Sequence, residues 1–165
     1  MRVCPGSTLS KKIIVAVGFL VLIGFVMAAM ALPPEVEADE KRMAQFKDNG
    51  DGTVTDAQTG LMWAASDNGR DITWAEARTY CRNYSGGGHT DWRLPTQDEL
   101  AGLYDKEESG SNHITPLIKL SGCCPWAIET RGSEAAHFSF GAGYQFWGSQ
   151  SGTLSNRALP VRSGK

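Results

Sequence analysis

The 165-residue chain has few of the residues that carry chemistry. Its three histidines, His89, His113 and His137, stand at no metal-ligand spacing. It has no His-Glu-x-x-His and no Gly-x-Ser-x-Gly, which leaves neither a zinc-protease helix nor a serine-hydrolase elbow. There is no internal repeat, so a solenoid or propeller is excluded. Positive charge is also scarce. Setting aside residues 1–31 removes Arg2, Lys11 and Lys12 and no acid, leaving 13 basic and 18 acidic residues, a formal charge of −5. That balance argues against nucleic acid as a partner and offers no pull on other polyanions.

The segment that is set aside is itself informative. Lys11 and Lys12 precede an uncharged run from Ile13 to Leu32, with Ala29-Met30-Ala31 before Leu32-Pro33-Pro34. A positive start, an apolar stretch and small residues before a proline read as a signal peptide cleaved after Ala31. The same run, about 20 residues, is also long enough to stay as a membrane anchor. Cys4 lies upstream of the run and so is not a lipoprotein's acylated cysteine. Either way the rest of the chain belongs outside the cytoplasm, secreted or in the cell envelope. Residues 32–43 are proline-bearing and charged and read as a linker, and residues 44–165 as one domain.

Three cysteines remain, Cys81, Cys123 and Cys124. An oxidising compartment favours one bridge with one thiol left over. Neighbouring α-carbons sit about 3.8 Å apart, below the usual disulfide range, so the expected partner of Cys81 is Cys123 or Cys124.

The secondary-structure signals run from strand to helix and back. Asn49-Gly50, Asp51-Gly52 and Gln58-Thr59-Gly60 mark turns between short strands near Ala44–Phe46, Thr53–Thr55 and Leu61–Ala64. Asp48, Asn49, Asp51 and Asp56 gather oxygens as a calcium loop does, but the glycine falls at the wrong position for an EF-hand, and turn chemistry accounts for them. Thr73 and Glu76 form a capping box ahead of a helix whose stripe is Trp74, Ala77, Cys81 and Tyr84, stopped by Gly86-Gly87-Gly88. Thr96 and Glu99 cap a second helix with Leu100, Leu103 and Tyr104 on its apolar face. Strands are expected at Trp126–Thr130, Ala135–Phe140 and Arg157–Arg162, with Phe138 and Phe140 on one face and His137 and Ser139 on the other. This order is α+β, two helices packed on small antiparallel sheets. Trp63, Trp74, Trp92 and Trp126 lie in these patterns as core residues.

In order along the chain, "DNGDGTVTDAQTGLMW", "TWAEARTYC", "GGGHTDWRLPTQDEL" and "RALPVRSG" resemble the Lcl C-terminal domain family. The resemblance covers about residues 44–165, and Asp91-Trp92-Arg93-Leu94-Pro95-Thr96 is its most specific part. It implies an extracytoplasmic domain of C-type lectin-like fold that works by binding or adhesion, with no catalytic residue and no cofactor. Asp91 and Arg93 then read as a structural ion pair or as backbone partners around Pro95. A formylglycine-generating relative would share the fold and need a cysteine pair, but successive side chains of an extended strand face opposite ways. A fixed adhesin for an acidic polysaccharide is the rival within binding, on a patch of Arg131, Arg157, Arg162 and Lys165.

The last signal is a tract with no helical period and no clean strand alternation, residues 138–156. It mixes Tyr, Phe and Trp with Ser, Gly, Gln and Asn, the composition of adaptable binding surfaces. Tyr144, Phe146, Trp147 and Leu154 are the expected anchors, with Ser149, Ser151, Thr153 and Asn156 as polar contacts and His137 beside them. Ser139, Gly141, Ala142, Tyr144, Phe146, Gly148, Ser149, Ser151, Gly152, Thr153, Leu154 and Ser155 share a further property. Each is reached from an asparagine codon by changing adenines alone, and Asn156 is an unchanged copy. Phe138, Phe140, Gly143, Gln145, Trp147 and Gln150 form the fixed scaffold between them. The resemblance implies a target of a diversity-generating retroelement, which randomises adenines in such tracts. The expected partner is then a protein or glycan at a cell or phage surface.

Overall fold

The computed structural model describes residues 44–108 and 110–164. The leader or anchor at 1–31 and the linker at 32–43 lie outside the described residues, and no helix among those described is long and apolar enough to cross a membrane.

The first sheet is built by local turn chemistry and closed by the end of the chain. It contains β1 (Phe46–Asp48), β2 (Thr53–Asp56), β3 (Leu61–Ala64) and β8 (Val161–Ser163), in the order β1-β2-β3-β8, all antiparallel. β1 begins two residues later than expected, because its pairing runs down to the turn, where Asp48 faces Val54. In that turn Asp48 Oδ1 accepts from the Gly50 amide at 2.8 Å and Asp51 Oδ1 from the Thr53 amide at 3.1 Å. Asp56 does the same for Gln58 and also accepts from the Thr59 hydroxyl. These acids are turn formers: each carboxylate is held by its own backbone neighbours.

Both helices start where their capping boxes stand. α1 spans Trp74–Asn83 and α2 spans Gln97–Gly102, with Thr73–Glu76 and Thr96–Glu99 bonded reciprocally. Each cap satisfies donors that the first turn leaves open, worth about 1 kcal/mol. Asn83 ends α1 and Gly86–Gly88 follow as a 3₁₀ turn.

The second sheet carries the tract. It contains β4 (Cys124–Arg131), β5 (Glu134–Ser139), β6 (Tyr144–Ser149) and β7 (Asn156–Arg157), in the order β6-β5-β4-β7. Two expectations are corrected here. Tyr144–Ser149 is a strand, paired in continuous register with β5. The expected strand Arg157–Arg162 is two strands in two sheets, and β7 runs parallel to β4, so the second sheet is not wholly antiparallel. Ala158, Leu159 and Pro160 make the crossing, all buried, and Pro160 has no N–H to offer a ladder but accepts from the Ala64 amide.

Two apolar clusters lie against these layers. One joins Val54, Trp63, Leu100, Phe138, Phe140, Leu159 and Val161. The other joins Ile72, Ala77, Cys81, Leu94, Trp126, Ala135 and Ala158. Trp63, Trp92 and Trp126 are buried as expected, while Trp74 is half-buried and donates from its indole to the Ala127 carbonyl.

Candidate functional site

The β5–β6 hairpin sorts its side chains by face. Cross-strand partners share a face, and His137 pairs with Phe146, Phe138 with Gln145, and Ala136 with Trp147. Phe138 and Phe140 are buried, and Trp147 leans on the same cluster beneath the Arg131 guanidinium, 4.4 Å away. Gln145 donates to Asp98 on α2 at 3.1 Å, and Gln150 donates to the Gly132 and Glu134 carbonyls. The hairpin turns at Phe140–Gly143, where the Ala142 and Gly143 amides both donate to the Ser139 carbonyl. Gly143 has φ +72°, and a Cβ there would stand 2.7 Å from the Tyr104 ring. Glycine suits both the left-handed φ and the close approach to Tyr104.

The opposite face points outward. Tyr144 is 67% exposed and Phe146 44%. Phe146 stacks on His137 at 5.8 Å and 12°, and His137 meets the edge of Trp126 at 5.4 Å. Burial lowers the His137 pKa, so the imidazole is neutral in this aromatic stack. Gly148 completes the packing: a Cβ there would stand 3.2 Å from His137 Cε1. Gln97, which is buried, donates from its side chain to the His137 and Phe146 carbonyls and fastens the two strands together. Sequence reasoning missed this role, because nothing within the capping motif singles Gln97 out.

Beyond β6 the chain is exposed or half-buried until β7. Ser149 and Ser151 share a hydrogen bond at 2.9 Å, Thr153 is exposed, and Leu154 is 85% exposed. Gly141 and Ala142 are exposed at the hairpin tip, Ser139 and Gly152 are half-buried, and Ser155 holds a left-handed φ of +58°. Asn156 is different. It is 7% exposed and its side-chain amide donates to the Cys124 carbonyl at 3.1 Å, so it is a structural residue and not a polar contact. Trp147, expected as an anchor, lies on the core side and belongs with the scaffold.

The cysteine pairing is also corrected. Cys123 and Cys124 are bonded to each other, and Cys81 is free. Cys81 points from α1 into the second cluster and is fully buried, and burial pushes its thiol well above the ordinary range.

The expected basic patch does not form. Arg157 and Arg162 are 8% and 5% exposed. Arg157 is paired with Asp71 and with Ser121, and Arg162 with Asp91 at 2.6 Å. Arg131 is bonded to Glu134 at 2.8 Å, and Lys165 lies outside the described residues. Asp91 and Arg93 do not pair with each other, but Arg93 does bond backbone beside Pro95, donating to the Leu94 carbonyl at 3.0 Å. Asp91 takes the Arg162 guanidinium, and Arg93 chelates Glu99 with contacts of 2.7 and 2.6 Å. Burial works against the Glu99 charge, but Arg93 and the Thr96 amide hold its carboxyl below the usual range.

Arg93 thus fixes the capping box of α2, and Asp91 fixes β8 of the first sheet. The most specific stretch of the sequence is a structural joint. Residues 52–162, more than half of the chain, match the Lcl C-terminal domain. The chain belongs to that family. No curated protein matches it. Within this Lcl C-terminal domain, the matched region takes in both helices, both capping boxes and the whole outward-facing hairpin.

Proposed function

We propose that this Lcl C-terminal domain is an extracytoplasmic recognition module of C-type lectin-like fold, binding a protein or glycan through side chains displayed along residues 139–154. One observation carries the reading. Much of the tract separates into positions engaged by the rest of the fold and positions whose side chains are exposed, with Phe146 exposed yet stacked on His137 and Gly148 packed against that ring. Phe138, Phe140, Gly143, Gln145, Trp147 and Gln150 are buried, conformationally fixed or hydrogen-bonded inward. Ala142, Tyr144, Phe146, Ser149, Ser151, Thr153 and Leu154 face solvent. The second set consists of residues reachable from an asparagine codon through adenine changes. A surface diversified by a retroelement needs this division, since its variable positions must change without cost to the fold.

Exposed Tyr144, Phe146 and Leu154 are the contact anchors, because large apolar side chains left in water mark interaction sites. The proposed action is binding, and thiol chemistry is disfavoured because the adjacent cysteines are bonded to each other and Cys81 is buried. Secretion or anchoring through Ile13–Leu32 would put the module on the outer side of the membrane.

Screening the purified domain against arrays of glycans and cell-surface proteins tests the reading. Tyr144→Ala together with Phe146→Ala should remove every hit that the wild type gives, and binding kept by the double variant would move the site elsewhere. The surrounding DNA tests the diversification: a reverse transcriptase gene and a near-identical template repeat are expected nearby.

A further inference from the structure

The Cys123–Cys124 bond acts where the tract begins and where it ends. A bridge between neighbours in the chain closes almost no loop, so it takes little freedom from the unfolded state. Its effect is local. The Cys123 carbonyl accepts from the Phe140 amide at 3.0 Å, at the start of the tract. Cys123 Sγ lies 4.0 Å from the Ser155 carbonyl oxygen, at its end. Cys124 pairs with Asn156 in the parallel ladder and takes the Asn156 side-chain amide on its carbonyl. Gly122, just before, is pressed under Arg157, where a Cβ would stand 2.6 Å from the guanidinium carbon. One pair of residues therefore holds both ends of the displayed segment.

The two residues differ in access, since Cys123 is half-buried and Cys124 is 9% exposed. We propose that this disulfide is a redox-controlled clamp on the display surface, opened by a dithiol reductant that attacks Cys123 Sγ. One thiolate of the reductant bonds to Cys123 Sγ, the sulfur–sulfur bond breaks, and Cys124 leaves as a thiolate that takes a proton from solvent. The second thiol of the reductant then displaces Cys123. The dithiol ends as a disulfide, and the protein ends with two thiols. Opening the ring returns rotational freedom to the Cys123 and Cys124 backbone, and the contacts to Phe140 and Asn156 loosen together. The effect on ligand binding rests on reading the tract as the display surface; the clamp itself does not.

Hydrogen exchange on the full-length protein, read by peptide mass spectrometry before and after dithiothreitol, tests it. Alkylation should label Cys123 and Cys124 only after the dithiol, and Cys81 in neither state. Exchange in peptides spanning 138–142 and 154–157 should rise at least about tenfold, with α1 unchanged. Unchanged exchange in those peptides, or a rise spread evenly over α1 and both sheets, overturns the proposal. Cys123→Ser with Cys124→Ser should exchange like the reduced wild type and ignore the dithiol; a double variant that exchanges like the oxidised wild type also overturns it. No ligand enters these measurements, so failure of the clamp is separate from failure of binding at Tyr144 and Phe146.

Discussion

The two sheets treat polar and apolar side chains in opposite ways. In the first, Val54, Trp63 and Val161 turn inward, and Asp48, Asp51 and Asp56 fold back on their own turns. Nearly every side chain there serves the local structure. At the edge of the second sheet, Gln145 turns inward to Asp98, while Tyr144 and Phe146 turn out. The hairpin is held by its backbone ladder, by Gly143 against Tyr104 and by the Gln97 side chain. Of its outer positions Tyr144 is largely in solvent, while Phe146 stacks on His137 and Gly148 leaves room for that ring.

That contrast orders the expected effects of substitution. The largest loss belongs to Trp126→Ala, which empties the second cluster and strands the Ile72 carbonyl that its indole serves. Denaturant unfolding should show a loss of about 3–5 kcal/mol. Next comes Gly143→Ala, which meets both the left-handed φ and the Tyr104 ring and should cost about 1–3 kcal/mol in the same assay. Thr96→Ala removes the cap of α2 and should cost about 1 kcal/mol. At the small end, Leu154→Ser and Thr153→Ala should stay within about 0.5 kcal/mol of the wild type. Should Leu154→Ser match Gly143→Ala in cost, the contrast between the sheets breaks.

Acid sharpens the comparison from the other side, because the first sheet is tied by a carboxylate. Hydrogen bonds from Arg162 hold the Asp91 carboxyl below its usual range. A depressed carboxylate pKa gives stability that is complete above the unfolded-state value and lost as pH falls through the folded one. Thermal melts should therefore be flat near neutrality and decline below about pH 4. Asp91→Asn should flatten that acid limb, and a limb unchanged in the variant would place the acid sensitivity in other groups.

Much of the fold was legible because its signals are local. Thr73–Glu76 and Thr96–Glu99 announce both helices, and the glycine turns announce β2 and β3. The parts that were not legible depend on contacts across the chain. Tyr144–Ser149 hid as a strand because both faces carry apolar residues, Tyr144 and Phe146 outward and Trp147 inward beside Gln145. Arg157–Arg162 looked continuous, and only the two-sheet architecture shows why Pro160 divides it. Arg157 and Arg162 read as surface charge until Asp71 and Asp91, distant in sequence, are brought against them. The exposure of Tyr144, Phe146 and Leu154 was foreshadowed by composition alone; Trp147 and Asn156 required the fold to remove them from the outward set.

The central claim is that the tract's outward side chains do not hold up the domain while the inward ones do. Melting temperatures of two variants decide it, Tyr144→Ala with Phe146→Ala against Trp147→Ala alone. The account predicts a fall within about 5 °C for the outward pair and roughly 10 °C for the single inward tryptophan. A pair that melts as low as the Trp147 variant, or lower, would make Tyr144 and Phe146 core residues and contradict the account.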